Sequence, residues 1–336
     1  MKFGAVPLAE AEGAILAHSI AVAGGVIKKG IWLGPEQIAR LAEAGVARIT
    51  VARLEAGDVG EDCAAARVAA AITGDQVRSA DAFTGRVNLF AARDGLVVID
   101  ATAAAALNAL DEAVTIATLA PFTRVTAGQM VATVKIITFA VAETIVAEAE
   151  SIAYSAAGGA VLRVAPFQPL RVALILTTVA GSKESVIAKR ARVTAERVAS
   201  LGSVLVGEDP VTHDAAAVTA AIVRAHAAGA DCILVFGASA IVDRGDVIPA
   251  GLRAAGGEVI HLGMPVDPGN LLMLGRMGGL PVVGVPSCAS SPKLNGFDWV
   301  LERIAAGLPL GRSEIAAMAV GGLLMEIPSR PQPRQG

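Results

Sequence analysis

Aromatic residues make up only 3% of this 336-residue chain and charged residues only 18%. The 28 lysines and arginines are set against 31 aspartates and glutamates, a formal charge of −3. Neither stacking platforms for bases nor a basic stripe for phosphate backbones is therefore expected, and nucleic acid is a poor partner. The three cysteines, Cys63, Cys232 and Cys288, are odd in number and widely spaced, with no CxxC pair. That pattern offers no disulfide framework or zinc site and points to a reducing cytoplasm. The four histidines show no HxxxH or HExxH spacing. Mean hydropathy is high, +0.60, yet no uncharged apolar run reaches the roughly 20 residues of a spanning helix. The longest uncharged stretch, residues 277–292, is broken by Gly278, Gly279, Pro281, Gly284 and Pro286. A soluble protein with no membrane association is expected. Glu10 and Glu12 stand where a secretory signal would carry basic and then apolar residues, so no export signal is expected.

What is present is a hydrophobic content of 54%, enough chain for about two domains. Texture changes at "APFQPL", which predicts an N-terminal α+β domain over 1–168 and an α/β domain over 169–310. A short segment and linker-like tail, 311–336, follow, and the Pro- and Arg-rich "PSRPQPRQG" is compatible with a further domain beyond it. In the second domain, β-branched runs at 172–177, 204–207, 232–236, 258–262 and 281–285 alternate with helical patterns. This predicts a three-layer α/β fold with a mostly parallel sheet. Ile187, Ala191, Thr194, Val198 and Leu201 form one helical stripe; Phe297, Val300, Leu301, Ile304 and Leu308 form another. In the first half, Gly34, Pro35 and Glu36 open a helix that Gly45 stops, and "ARITVARL", "VNLFAA", "LVVID" and "GQMVATVKIITFAV" are candidate strands.

Ligands of an open parallel sheet bind beyond the carboxyl ends of its strands, so three loops matter. "TTVAGSKE", residues 177–184, combines small residues with Ser182 and Lys183 at a helix start; it is either an anion-binding loop or an ordinary strand-to-helix turn. "FGASAIVDRGDVIP" places Asp243 and Asp246 three apart; the pair either shares a cation beside a bound phosphate or belongs to a solvated turn and helix cap. "GVPSCASSPK" gathers Ser287, Ser290, Ser291 and Lys293. Cys288, with no histidine close in sequence to activate it as a nucleophile, reads as a structural or incidental thiol. His213, beside Asp214, is either an acid/base or ligand-binding group or part of a helix cap.

In order, these loops resemble the molybdopterin-binding domain shared by molybdopterin adenylyltransferases, molybdopterin molybdenumtransferases and the amino-terminal part of competence/damage-inducible proteins. The resemblance covers about residues 171–306, with a weaker parallel in "GVIKKGIWLGPEQIARLAEAGVARITVAR". The overall pattern is similar to bacterial molybdopterin-binding proteins that can be fused to a nucleotidyltransferase. It implies molybdopterin, or its adenylylated form, as ligand, held by Thr177, Gly181, Ser182, Lys183, Gly237, Ala238, Ser239, Pro268, Gly269, Pro286, Ser287 and Ser290. It further implies Mg²⁺ on Asp243 and Asp246, catalytic roles for Asp246 and Asp214, and a homo-oligomer. The sequence departs from the family pattern at Ala238, where the family has glycine, at Asn270 in place of a lysine, and at residues 287–289 in place of Gly-Asn-Pro. Loss of the lysine weakens charge stabilisation during adenylyl transfer. The expected function is thus molybdopterin binding in molybdenum-cofactor biosynthesis, with adenylyl transfer or molybdate insertion left open. The alternatives are a non-catalytic carrier serving a nucleotidyltransferase and a nucleotide pyrophosphatase.

Overall fold

The computed structural model describes residues 1–267 and 269–324, without the side chains of Glu208 and Asp209. The chain divides into two compact units, Met1–Pro166 and Phe167–Gly336.

The first unit opens with β1 (Lys2–Pro7), β2 (Ile15–Leu16), a small hairpin of β3 (Ile20–Val22) and β4 (Gly25–Ile27), helix α1 (Pro35–Glu43) and β5 (Arg48–Arg53). β5 lies between β1 and β2, antiparallel to both. α1 starts as expected, because Pro35 pre-sets φ at the first helical position and the Gly34 N–H donates to the Gln37 side chain at 3.1 Å. Leu16, Leu33, Leu41, Ile49 and Val51 form the local core.

The remainder of this unit comprises β6 (Asp58–Gly60), α2 (Glu61–Ile72), β7 (Val77–Ser79), β8 (Arg86–Ala91), β9 (Gly95–Ile99) and α3 (Ala101–Leu110). β10 (Val114–Thr118), β11 (Arg124–Val125), β12 (Met130–Ile136), β13 (Ala140–Ala142), α4 (Glu143–Tyr154) and β14 (Leu162–Pro166) complete it. Three sheets result, ordered β10-β12-β8-β7, β11-β9-β14 and β13-β6. The long β-branched run therefore splits into β12 and β13. Lys135 is accommodated within it because its Nζ donates to the Thr84 carbonyl at 2.6 Å and pairs with Glu61 at 3.4 Å. Helices α2 and α4 are joined by Arg67, which reaches Glu143 at 2.7 Å and Glu150 at 2.8 Å.

The second unit is an α/β sandwich built on β15 (Arg171–Thr178), β16 (Val204–Thr212), β17 (Cys232–Phe236), β18 (Glu258–Met264), β19 (Asn270–Met277) and β20 (Leu280–Val285), ordered β16-β15-β17-β20-β19-β18. The first four strands in that order are parallel, and β19 runs antiparallel to both its neighbours. Side chains alternate across the sheet. Ala173, Ile175, Ile233, Val235 and Val282 pack with α6 (Ala215–Ala227) and α7 (Val247–Ala254) in one core. On the other face, α5 (Glu184–Ala199) lays Arg190 over Phe236 and joins α8 (Gly296–Ala305) through Arg197 and Asp298. A short α9 (Arg312–Ala317) follows. Among the described residues, no helix is long and apolar enough to cross a membrane.

Two elements differ from the pattern read in the sequence. β16 continues to Thr212 through Pro210 rather than stopping near Gly207, which an outermost strand permits because proline's missing N–H needs no ladder partner there. β19, Asn270–Met277, occupies a segment that the sequence pattern assigns to no strand. The pair Gly278–Gly279, with φ of +55° and +90°, makes the two-residue turn that folds β19 back on β20.

Candidate functional site

The chain leaves β15 towards α5 on one face of the sheet and leaves β17 towards α7 on the other. The carboxyl ends of these neighbouring strands therefore flank a switch point, where connections diverge and open a crevice. Three strand exits meet there. Thr177, at the end of β15, is 2% exposed, and its Oγ1 accepts the Ala238 N–H at 2.7 Å. The same oxygen lies 2.7 Å from His213 Nδ1, from the exit of β16, and 3.5 Å from the Phe236 carbonyl. His213 Nε2 lies 3.0 Å from Ser239 Oγ in the exit of β17.

For a neutral imidazole, one assignment of hydrogens uses all four contacts. Thr177 Oγ1 donates to the Phe236 carbonyl and accepts from Ala238 and from His213 Nδ1–H, while Ser239 Oγ donates to Nε2. The buried threonine thus fixes the imidazole, and the imidazole holds an exposed serine at the crevice mouth. The backbone cooperates, since a Cβ on Gly237 would come within 2.4 Å of the Ser239 carbonyl oxygen. Only glycine permits this close fold of the loop on itself.

The other expected residues divide into two groups. Gly181, at φ +83°, turns the β15 exit, where Ser182 Oγ accepts the Val179 N–H at 2.9 Å; Lys183 is exposed at the start of α5, whose first turn lacks a side-chain cap. Pro286 is buried and leads into a 3-10 turn at Ser287–Ser290. Because Met273 pairs with Gly284 in antiparallel register, Gly269 and Asn270 at the start of β19 lie at this same end of the sheet. Pro268 lies outside the described residues.

The carboxylates, by contrast, are engaged by their own loops. Asp214 caps α6 by accepting the Ala217 N–H at 2.8 Å. Asp246 accepts from Val247 at 2.8 Å and Val242 at 3.1 Å, and Asp243 accepts from Gly245 at 2.6 Å. No group of three or more His, Cys, Asp or Glu that could hold a metal ion occurs among the described residues.

Two arginines of α5 build the site without having been singled out in the sequence. Arg197, with a side chain 9% exposed, pairs with Asp298 at 2.5 Å and donates to the carbonyls of Ala289, Ser291 and Lys293 at 2.7, 2.7 and 3.0 Å. It fixes the exit of β20. Arg190 donates from Nη1 to the Gly237 carbonyl at 3.0 Å, and its guanidinium carbon sits 4.4 Å from the centroid of Phe236. Its Nε is buried without a hydrogen-bond partner, and burial holds the guanidinium below its ordinary pKa. The signal was available: Arg190 and Arg197 each stand three residues beyond a member of the apolar stripe, Ile187 and Thr194.

The first unit has a cavity of its own. This hollow of about 320 Å³ at the start of α3 is lined by Ile99, Asp100, Ala157 and Arg163, among others. Asp100 accepts the Ala103 N–H at 2.9 Å and the Ala157 N–H at 2.8 Å there, so the carboxylate closes the helix end.

Comparison with known proteins adds one assignment. No curated protein matches the chain. Residues 5–53, which span the β1-to-β5 portion of the first unit, match the family described as "Domain of unknown function (DUF8806)".

Proposed function

We propose that the second unit binds an anionic pterin, molybdopterin or its adenylylated form, in the crevice at the exits of β15, β16 and β17. The observation that carries this reading is the Thr177–His213–Ser239 chain of contacts, which fixes a small, hydroxylated rim at a switch point where sheet proteins of this class take their ligands. Ser239 and the uncapped first turn of α5 supply neutral donors for a phosphate, and the residues 286–290 turn faces the ligand from the exit of β20.

Binding, rather than turnover, is the function the side chains favour. Asp243, Asp246 and Asp214 spend oxygens on loop and helix N–H groups, and Asn270 stands where the resembled enzymes have a lysine. Two such carboxylates hold Mg²⁺ only together with ligand phosphates and water, so no catalytic step is derived through that ion. In this reading the protein is cytoplasmic, self-associates, and presents the pterin to a nucleotidyltransferase. The test is to purify the full chain from a cofactor-producing host, extract it for fluorescent pterin oxidation products, and titrate it with molybdopterin in a calorimeter. Copurifying pterin and saturable heat support the reading; absence of both refutes it.

A further inference from the structure

We infer that Arg190 is the anion-recognition residue of this crevice, and that the ligand group it takes is a phosphate or pyrophosphate oxyanion. Arg190 forms no ion pair among the described residues, and its Gly237 contact is its single hydrogen bond there. Burying a charge without a counter-charge is unfavourable, and proteins keep such a group when something anionic completes it. Phe236 supplies part of the compensation by lying under the guanidinium plane. That stacking, together with the bond to Gly237, aligns the flat donor fork beside the β17 exit. Gly237 immediately precedes Ala238 and Ser239, so guanidinium and serine border the same bend of chain.

Geometry favours a tetrahedral oxyanion over a lone carboxylate. A guanidinium presents paired N–H groups in a fixed plane, matched to two oxygens of one phosphate. The exposed serine and the uncapped turn of α5 add neutral donors from other directions. Among the described residues, no acidic side chain is hydrogen-bonded to Arg190, His213 or Ser239; Asp214, Asp243 and Asp246 accept from N–H groups of their own loops and helix starts. The proposal deepens the molybdopterin reading and rests on the same crevice being the ligand site.

The experiment compares the wild-type chain with Arg190→Gln and Arg190→Lys, using inorganic phosphate, pyrophosphate and AMP as probes in thermal unfolding and calorimetry. Wild type is expected to gain thermal stability with pyrophosphate. Arg190→Gln should weaken pyrophosphate binding at least tenfold and flatten its salt dependence, and Arg190→Lys should retain part of both. Without ligand, Arg190→Gln should unfold no earlier than wild type, because it removes a half-buried charge that has no counter-charge among the described residues. A purely structural arginine would give the opposite sign. Equal pyrophosphate affinity in wild type and Arg190→Gln, or no binding to wild type at tens of millimolar, would overturn the inference. Pyrophosphate binding through Arg190 without molybdopterin binding would refute the pterin reading alone; molybdopterin binding unchanged in Arg190→Gln would refute this one alone.

Discussion

Replacing Thr177 with valine tests whether its hydroxyl is the keystone of the strand exits. Valine keeps the branched shape and the buried contacts but leaves the Ala238 N–H, now 2.7 Å from Oγ1, without its acceptor, and cuts His213 loose. An unpaired polar group of this kind costs about 1–3 kcal/mol. Thr177→Ser makes the complementary change, keeping the oxygen and losing one buried methyl, for about 0.8 kcal/mol. Valine should therefore be the more damaging of the two by about 1 kcal/mol. In a unit of this size that separates the melting temperatures by about 2–4 °C. A double-mutant cycle with His213→Ala adds a second readout, because residues in contact lose additivity by about 0.5–3 kcal/mol. The measurements are urea and thermal denaturation of the full chain followed by circular dichroism. A valine variant at least as stable as the serine variant, with strictly additive effects of His213→Ala, would refute the hydrogen-bond assignment.

Arg197→Ala should release residues 287–293, cost about 3 kcal/mol because Asp298 is left unpaired, and expose that segment to rapid amide exchange read by mass spectrometry. Gly237→Ala, whose added Cβ meets backbone, should destabilise by about 1–3 kcal/mol and weaken ligand binding more than an exposed Gly→Ala control such as Gly207→Ala, whose added Cβ meets nothing within 4 Å. Alkylation with iodoacetamide should label the exposed Cys63 and Cys288 in the folded chain, while Cys232, whose thiol burial pushes up to about 12, should react only after unfolding. The Arg67 guanidinium, through its hydrogen bonds, holds the Glu150 carboxyl below its ordinary value. Its contribution is therefore present above the unfolded value near 4.5 and is lost as the pH falls through the lower folded value. The stability gap between wild type and Glu150→Gln should accordingly close on acidification, and a gap that widened would contradict the assignment.

Much of the second unit was legible because parallel strands buried on both faces spell out continuous apolar runs; "CILVF" is β17 to the residue. The glycines after α5 and α6, Gly202 and Gly229, take the left-handed conformation, φ +70° and +75°, that closes a helix end. β19 escaped because "LLMLGRM" has neither alternation nor β-branched residues, and the Gly–Gly pair that marks its hairpin was read as mere interruption. The site was half legible. Thr177, Ser239 and His213 could be named as chemistry-bearing loop residues, but their mutual contacts join positions 36 and 26 residues apart, which no local pattern encodes. Arg190 and Arg197 were hidden for another reason. An arginine on a helix reads as a solvated charge, and only its phase relative to Ile187 and Thr194 reveals that it points inward.

The Gly278–Gly279 hairpin and the crevice differ in what the chain must do to make them. Strands β19 and β20 zip from neighbouring residues, with little loop entropy to overcome, whereas β15 waits for β17 some 60 residues later to find its flank. The antiparallel margin of the sheet is thus the natural early-forming part, and the ligand rim comes into being only when the long-range parallel pairings close. In the proposed reading, a chain that has not yet closed those pairings offers its ligand no receptor.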